Sequence, residues 1–341
     1  MNHPSPNPSQ DQSCHWAPLV EIIERMNTFV ISSHIHPDGD AIGAALALRR
    51  MLENYGKDAI CYFTHPAGRQ LEQFCKPGEI FLHEKDAVDL SDRDLVVMVD
   101  ASGWDRLGAA GAVLDKHPAP NVCIDHHPEV GEFPGLRIVD TNASSTTVLI
   151  YRLLKYMQLS LTKDIAEAIY LGMIVDTINF HLPNTNAETH RIAADCIEAG
   201  VKPADVYEPV FGTMRFSRMR LMAEAFANAS VLFDGTVGVM FTDLAMVKKC
   251  QSDEDDDDGF SDLSRNIEGV KVGIYFRQID ADRVKVSWRT KEPYSIVESA
   301  RKFGGGGHLR ASGAMIHASI EEAKRLVLAD MEARVRAGDY V

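Results

Sequence analysis

A doubly wound α/β domain followed by a smaller, mixed-sheet α+β domain is the architecture this sequence predicts. Three observations carry that reading. Uninterrupted apolar runs of strand length, such as Leu95-Val-Val-Met-Val99, alternate with helix-like segments through the first half. Such runs mark strands covered on both faces, the habit of a parallel sheet. After about residue 230 the texture changes to short strand pairs separated by turns. With 341 residues, 45% of them hydrophobic, the chain has room for two domains and no need of disulfide staples.

The elements follow in order. Residues 29–33 (FVISS) read as a buried strand, and 40–55 as a helix with Ile42, Leu46 and Leu48 inward and Gly56 in the stop position. Residues 59–64, 95–99, 122–124 and 136–139 read as further strands; 145–157 and 163–175 read as helices. From 187 to 222 the pattern is helical, with a helix at 189–199 closed by Gly200 and Pro203. Residues 231–241 look like a hairpin around Gly235, and 270–277 with 283–289 like a second strand pair. A helix at 296–303, a glycine-rich turn, a strand at 314–318 and a helix at 320–336 complete the chain. The boundaries are a disordered polar tail at 1–16, a first domain at 17–186, a helical connector at 187–229 and a second domain at 230–341.

Charge and composition narrow the function. There are 49 acidic against 35 basic side chains, a net charge of −14, and without the acidic run at 253–258 it is still −8. Gripping long nucleic acid takes a basic stripe that displaces counterions, so only short or terminal pieces of a polyanion suit this chain. The acidic run itself reads as a solvated loop, because like charges in a block repel. The six cysteines stand no closer than fourteen positions apart, which fits reduced thiols in a cytoplasm. No apolar run approaches the ~18 residues of a membrane span.

Polar residues suited to metals sit where the predicted strands end. The first strand runs into His34-Ile-His36-Pro-Asp38-Gly-Asp40, the third ends in Asp100, and the fourth in Asp125-His126-His127. Asp176 ends the apolar helical stretch AIYLGMIV. In a parallel sheet all strand C-termini open on one edge, where ligands bind. Carboxylates with imidazole and no thiolate favour Mn²⁺, with Mg²⁺ or Co²⁺ as substitutes. His34, Asp38, Asp40, Asp100, His126 and Asp176 are too many for one ion; two ions sharing a carboxylate would bring four aspartates close to neutrality and activate a bridging water. Asp125 is expected to orient His126, and His36 to be a loop residue.

A second feature is Gly304-Gly305-Gly306-Gly307-His308-Leu-Arg310-Ala-Ser-Gly313, with Arg289 at the end of a preceding strand. Glycines let backbone N–H groups approach an anion, and a guanidinium can hold phosphate through two hydrogen bonds. The segment is read as an anion-binding loop.

Together HxHPDGDAIGA, VVMVDAS, IDHH, GMIVDT and GGGGHxRASG, in that order, resemble the DHH phosphoesterase superfamily, and within it the bacterial nano-RNases that also act as pAp phosphatases. The resemblance covers residues 21–337. It implies an N-terminal DHH domain, a DHH-associated domain and an active site in the cleft between them. It makes the six residues above Mn²⁺ ligands with Asp100 as the bridge, and sets His127 and Asp100 at the chemistry. Arg289, His308, Arg310 and Gly305, Gly306 and Gly307 would grip the substrate end, and Arg106 of WDRLG falls in a family pattern, though an ion pair near the Asp100 loop would also explain it. Where the family more often has Asn and Ser, this chain has His36 and Ala44. The activity implied is hydrolysis of short RNA to 5′-mononucleotides and of pAp to AMP. Hydrolysis of linear pGpG-type or cyclic dinucleotides, a related pyrophosphatase, or a non-catalytic metal- and nucleotide-sensing module are the alternatives. Long nucleic acid and membranes are not expected partners, and homodimerisation is left open.

Overall fold

The computed structural model describes residues 13–128, 133–253, 256–257 and 259–340. The expected tail lies outside them up to residue 12, and a helix begins at Ser13. The chain divides into two units, Met1–Thr213 and Met214–Val341.

The first unit runs α1 (Ser13–Arg25), β1 (Thr28–Ser32), α2 (Gly39–Asn54), β2 (Asp58–Phe63), β3 (Ile80–Leu82), β4 (Leu95–Val99), α3 (Gly108–Leu114), β5 (Asn121–Asp125), β6 (Leu136–Val139), α4 (Thr146–Tyr156), α5 (Lys163–Asp176), α6 (Ala187–Glu198) and α7 (Pro203–Tyr207). Its six strands are parallel, in the order β3-β2-β1-β4-β5-β6. Alternate side chains explain the unbroken apolar runs. Phe29 and Ile31 of β1 and Leu95, Val97 and Val99 of β4 enter one core, under α1, α2, α4 and α5. Val30, Val96 and Met98 enter a second core on the opposite face, with Leu107, Ala110 and Leu114. Both faces are buried, so both phases of the strand must be apolar. The order of the strands reverses between β1 and β4, which makes the carboxyl ends of those two strands the switch point of the sheet.

Helices α2 and α5 cross closely. A Cβ on Gly43 would lie 2.4 Å from the carbonyl oxygen of Ala168, so only glycine allows the approach. Of the stretch read as a connector, α6 and α7 belong to the first unit, where Ile192, Cys196 and Val206 join its core.

The second unit contains α8 (Phe216–Ala227), β7 (Ser230–Leu232), β8 (Val237–Thr242), α9 (Leu244–Cys250), α10 (Phe260–Arg265), β9 (Val272–Gln278), β10 (Val284–Thr290), α11 (Val297–Lys302), β11 (Gly306–Gly307), β12 (Ala311–Ile316) and α12 (Ile320–Ala337). Its mixed sheet has the order β11-β12-β10-β9-β8-β7, with β8 and β9 parallel and the other pairs antiparallel. Ile274, Phe276, Val286 and Trp288 fill one face against Ala323, Val327 and Met331 of α12. The last strand starts at Ala311, earlier than predicted, because pairing with β10 recruits Ala, Ser and Gly despite their weak β-propensity.

The acidic run is not simply a solvated loop. Glu254, Asp255 and Asp258 lie outside the described residues, but Asp256 and Asp257 are buried. Asp257 accepts a hydrogen bond from the Tyr275 hydroxyl (2.7 Å) and pairs with Arg277 at 3.1 Å, while Arg215 reaches Asp256 at 2.6 Å. Cations distant in the chain neutralise the block, which local charge counting could not foresee.

Asp330 of α12 supplies a test of stability. Its buried carboxylate accepts hydrogen bonds from Ser299 Oγ (3.0 Å), Lys302 Nζ (2.6 Å) and Arg334 Nε (3.0 Å). Burial alone would raise its pKa, but these donors outweigh it and hold the pKa below the ordinary value. The stability this adds is present above the unfolded-state pKa and is lost as pH falls through the folded one. Asp330→Asn should cost about 2 kcal/mol at neutral pH and less near pH 3, read by urea unfolding at the two values. An equal cost at both would refute the assignment.

No helix among the described residues is long and apolar enough to cross a membrane.

Candidate metal centre

The switch point brings the predicted residues together. β1 ends at Ser32 and the chain turns into His34; Asp38 then caps α2, its Oδ1 accepting hydrogen bonds from the N–H groups of Asp40 and Ala41, each at 3.0 Å. Asp100 follows β4 directly. Its φ of +53° is a left-handed conformation that costs a non-glycine residue about 1–3 kcal/mol, the sort of strain that functional sites retain. His126 and His127 follow β5, and Asp176 closes α5.

The donor atoms converge. His34 Nε2 lies 3.4 Å from Asp100 Oδ2 and 3.8 Å from Asp38 Oδ1. His126 Nε2 lies 2.9 Å from Asp176 Oδ2, 3.7 Å from Asp100 Oδ1 and 3.9 Å from Asp40 Oδ2. Three sets of ligand atoms are compact enough to hold an ion: His34, Asp38 and Asp100; Asp40, His126 and Asp176; and Asp100, His126 and His127. Asp100 belongs to two of them, with its oxygens turned to opposite sides. His126 Nε2 is buried without a well-formed hydrogen bond even though Asp176 is close. Lone pairs pointing at shared points, with too few protons between them, fit divalent cations better than a hydrogen-bonded cluster.

Electrostatics agree. Asp40 is fully buried, and burial followed by repulsion from Asp100 and Asp176 pushes its pKa well up. Asp100 is raised chiefly by burial. Burial works against charge on His34 and His126, but the surrounding carboxylates outweigh it and lift both to about 10. The cluster therefore demands positive charge at its centre, which divalent ions supply.

Two features were not visible in advance. Asp40 is cradled by the N-terminus of α4: the N–H of Thr146 donates to its Oδ2 (2.6 Å) and that of Thr147 to its Oδ1 (3.1 Å), while Thr146 Oγ1 donates to Asp100 (3.0 Å). The helix end favours negative charge there. Across from it, a Cβ on Gly172 would lie 2.4 Å from Asp40 Oδ1 and 2.4 Å from Thr147 Cγ2. Thr146 and Thr147 lie in a stretch, residues 142–148, that the sequence reading did not single out, and Gly172 lies in the GMIVDT motif; it took the fold to show that each positions Asp40.

Asp125 was expected to orient His126. It instead serves His127, whose backbone N–H (3.1 Å) and Nδ1 (2.9 Å) both approach its Oδ1. Asp125 is fully buried and His127 half-exposed, so the fixed carboxylate leaves the Nε2 side of the ring outward. His126 Nδ1 lies 3.3 Å from the Ala143 carbonyl instead. His36 stacks on His65 with ring centroids 4.1 Å apart. Arg106 is exposed in a turn beside Asp100; its carbonyl accepts the N–H of Ile35 (2.8 Å), and its guanidinium has no ion pair among the described residues.

In the second unit, Arg289 lies opposite Ala311 in the β10–β12 pair and faces a cavity shared with Tyr275, Arg277, Lys285 and Ser287. Arg277 and Lys285 were not anticipated; they join Arg289 because alternate residues of β9 and β10 share one face. Arg310 pairs with Glu292 at 2.6 Å, and His308 is exposed at the tip of the β11–β12 turn. The glycine run is partly strand. A Cβ on Gly305 would lie 2.0 Å from the Gly313 carbonyl oxygen, and one on Gly307 2.5 Å from that of Ala311, so these glycines allow close pairing of backbone with backbone.

A parallel sheet with carboxylate and imidazole side chains gathered at its switch point defines a class of protein built to hold divalent cations at a sheet edge. Residues 28–173 match the model of the DHH family, N-terminal domain, and residues 246–337 that of the DHHA1 domain. The chain belongs to the DHH family of phosphoesterases. It is 31% identical over 324 residues to the bifunctional oligoribonuclease and PAP phosphatase of Bacillus subtilis, covering 92% of this chain and 96% of that protein. It is also 31% identical to the protein of the same description from Thermus thermophilus, covering 90% of each. Among solved structures, an exopolyphosphatase-related protein from Bacteroides fragilis superposes with a TM-score of 0.89 at 27% identity, covering 96% of this chain and 98% of that one.

Proposed function

We propose that this phosphoesterase hydrolyses short oligoribonucleotides to 5′-mononucleotides and removes the terminal phosphate of PAP, in the cytoplasm. The observation that carries the reading is the convergence of His34, Asp38, Asp40, Asp100, His126 and Asp176 on one sheet edge, in a chain 31% identical to relatives described with those activities. These residues would hold two manganese ions, with Asp100 between them. Such ions supply Lewis acidity at a phosphoryl oxygen and lower the pKa of water. The protein's own part is positional. The α4 N-terminus and Gly172 keep Asp40 in place, and Asp125, accepting a hydrogen bond from His127 Nδ1, favours the imidazolium form, whose Nε2 proton can be given to the departing oxygen. Arg289, with Arg277 and Lys285 beside it, and His308, Arg310 and Gly305–307 bind the terminal phosphate or base; Arg106 binds another phosphate. The acidic surface favours short chains, because affinity must come from a few local cations.

The test uses end-labelled RNAs from two to about twenty nucleotides, and PAP, with Mn²⁺ or Mg²⁺. Rates should fall steeply with length, and Arg289→Ala should raise KM about tenfold with kcat little changed. Equal cleavage of long and short RNA would overturn the assignment.

A further inference from the structure

Just after Asp176 the backbone turns left-handed. Ile178 (φ +45°), Asn179 (φ +54°) and Phe180 (φ +64°) form the one run of three such non-glycine residues among the described residues. Hydrogen bonds hold the turn. The N–H of Asn179 donates to the Ile174 carbonyl (2.6 Å), that of Phe180 to Thr177 Oγ1 (2.8 Å), and those of His181 and Leu182 to the Thr177 carbonyl (2.8 and 2.9 Å). Two of the three residues suit the conformation. Asparagine tolerates a positive φ, and Phe180 packs its ring against Tyr170 and His190, with centroids 6.0 and 5.1 Å away. Ile178 does not suit it. A β-branched side chain tolerates this conformation poorly, and burial returns little, since 52% of Ile178 is exposed. Its side chain makes none of the hydrogen bonds of the turn, so glycine at 178 would keep them all without the strain. Neither the turn nor its packing asks for isoleucine.

What the turn does is hold an apolar side chain in solvent beside the carboxylate–imidazole cluster. Ile178 lies two residues past Asp176, so their Cα atoms are at most about 7 Å apart. Asp176 is itself fixed: its Oδ2 lies 2.9 Å from His126 Nε2, and its carbonyl accepts a hydrogen bond from Asn184 Nδ2 (3.2 Å). We propose that Ile178 is a substrate-contact residue whose side chain lies against the face of the nucleobase next to the scissile phosphate. The inference rests on the nucleotide reading of this site. The phosphate of a nucleotide is anionic and its ribose carries hydroxyls; the flat face of the base is the part suited to an exposed aliphatic group. Such a contact meets the face and not the hydrogen-bonding edge, so it serves all four bases alike. A side chain held on a rigid, strained turn also loses little freedom when substrate arrives, which is a use for strain retained at a functional site.

Steady-state kinetics of the full chain with dinucleotides in Mn²⁺ provide the test, using Ile178→Gly and Ile178→Asn, both of which accept the left-handed turn. Each should raise KM about fivefold for intact dinucleotides, to a similar extent for all four bases, with kcat changed less than about twofold. Dinucleotides lacking one or the other base locate the contact. For one of the two, the wild type should show a KM raised by about the same factor, and there the substitutions should add nothing further. Urea unfolding should find Ile178→Asn at least as stable as the wild type, because strain is relieved. An unchanged KM in both variants, an equal rise on both abasic substrates, or a loss of stability in Ile178→Asn would each overturn the proposal; in the last two cases Ile178 supports the fold around Asp176 instead. Indifferent variants of a wild type that cleaves dinucleotides remove this inference alone. A wild type that cleaves no dinucleotide removes the nucleotide reading and this inference with it.

Discussion

Replacing Asp100 by asparagine should lower dinucleotide turnover by about three orders of magnitude or more. Asp100 is the one carboxylate whose oxygens serve two of the three donor sets, one facing His34 and Asp38, the other His126. The substitution keeps the shape and the hydrogen bond from Thr146 and removes the charge. A loss of about 4 kcal/mol in transition-state stabilisation corresponds to roughly a thousandfold in rate. A second readout separates metal binding from catalysis. Saturating Mn²⁺ should raise the unfolding temperature of the wild type, a ligand at a hundred times its Kd adding about 2.7 kcal/mol, and that rise should largely disappear in the variant. A variant with full turnover, or with an undiminished Mn²⁺-induced rise, would show that Asp100 does not hold the ions.

Gly172→Ala should have the next largest effect, although Gly172 touches no substrate. Its added methyl would arrive 2.4 Å from both Asp40 Oδ1 and Thr147 Cγ2, at the crossing of α2 with α5. Neither neighbour can give way freely: Asp40 is held by two backbone N–H groups, and Thr147 belongs to the first turn of α4. Overpacking of this kind costs about 1–3 kcal/mol. Displacing Asp40 by even part of an ångström should reduce turnover about a hundredfold. Urea unfolding and steady-state kinetics measure the two losses. A variant of normal activity would mean that the helices part without moving Asp40.

Several parts of the site were legible without coordinates. The strand-end positions of His34, Asp100 and His126 follow from apolar runs that stop at a polar residue, because a strand buried on both faces must be apolar until it emerges. Asp38 and Asp40 were legible as a pair, though not in their division of labour: Asp38 caps a helix, and Asp40 is sunk under α4. The partner of Asp125 was misread because His126 and His127 are adjacent in sequence and only the backbone turn after β5 decides which ring comes round to the carboxylate. The burial of Asp256 and Asp257 was hidden for a related reason. Arg215, Tyr275 and Arg277, which compensate them, come from other elements.

What the sequence determined by itself is the alternation of elements, the identity of the carboxylate and imidazole side chains at the strand ends and the net negative charge. These depend on periodicity and composition, which are properties of the chain alone. What the tertiary structure decided is which groups meet: the threonine N–H groups under Asp40, the glycine that leaves room for it and the cations beside Arg289. Each of these depends on where one element lies against another. Contact distances of a few ångströms between residues a hundred positions apart are set by packing and strand order, and no local pattern contains them.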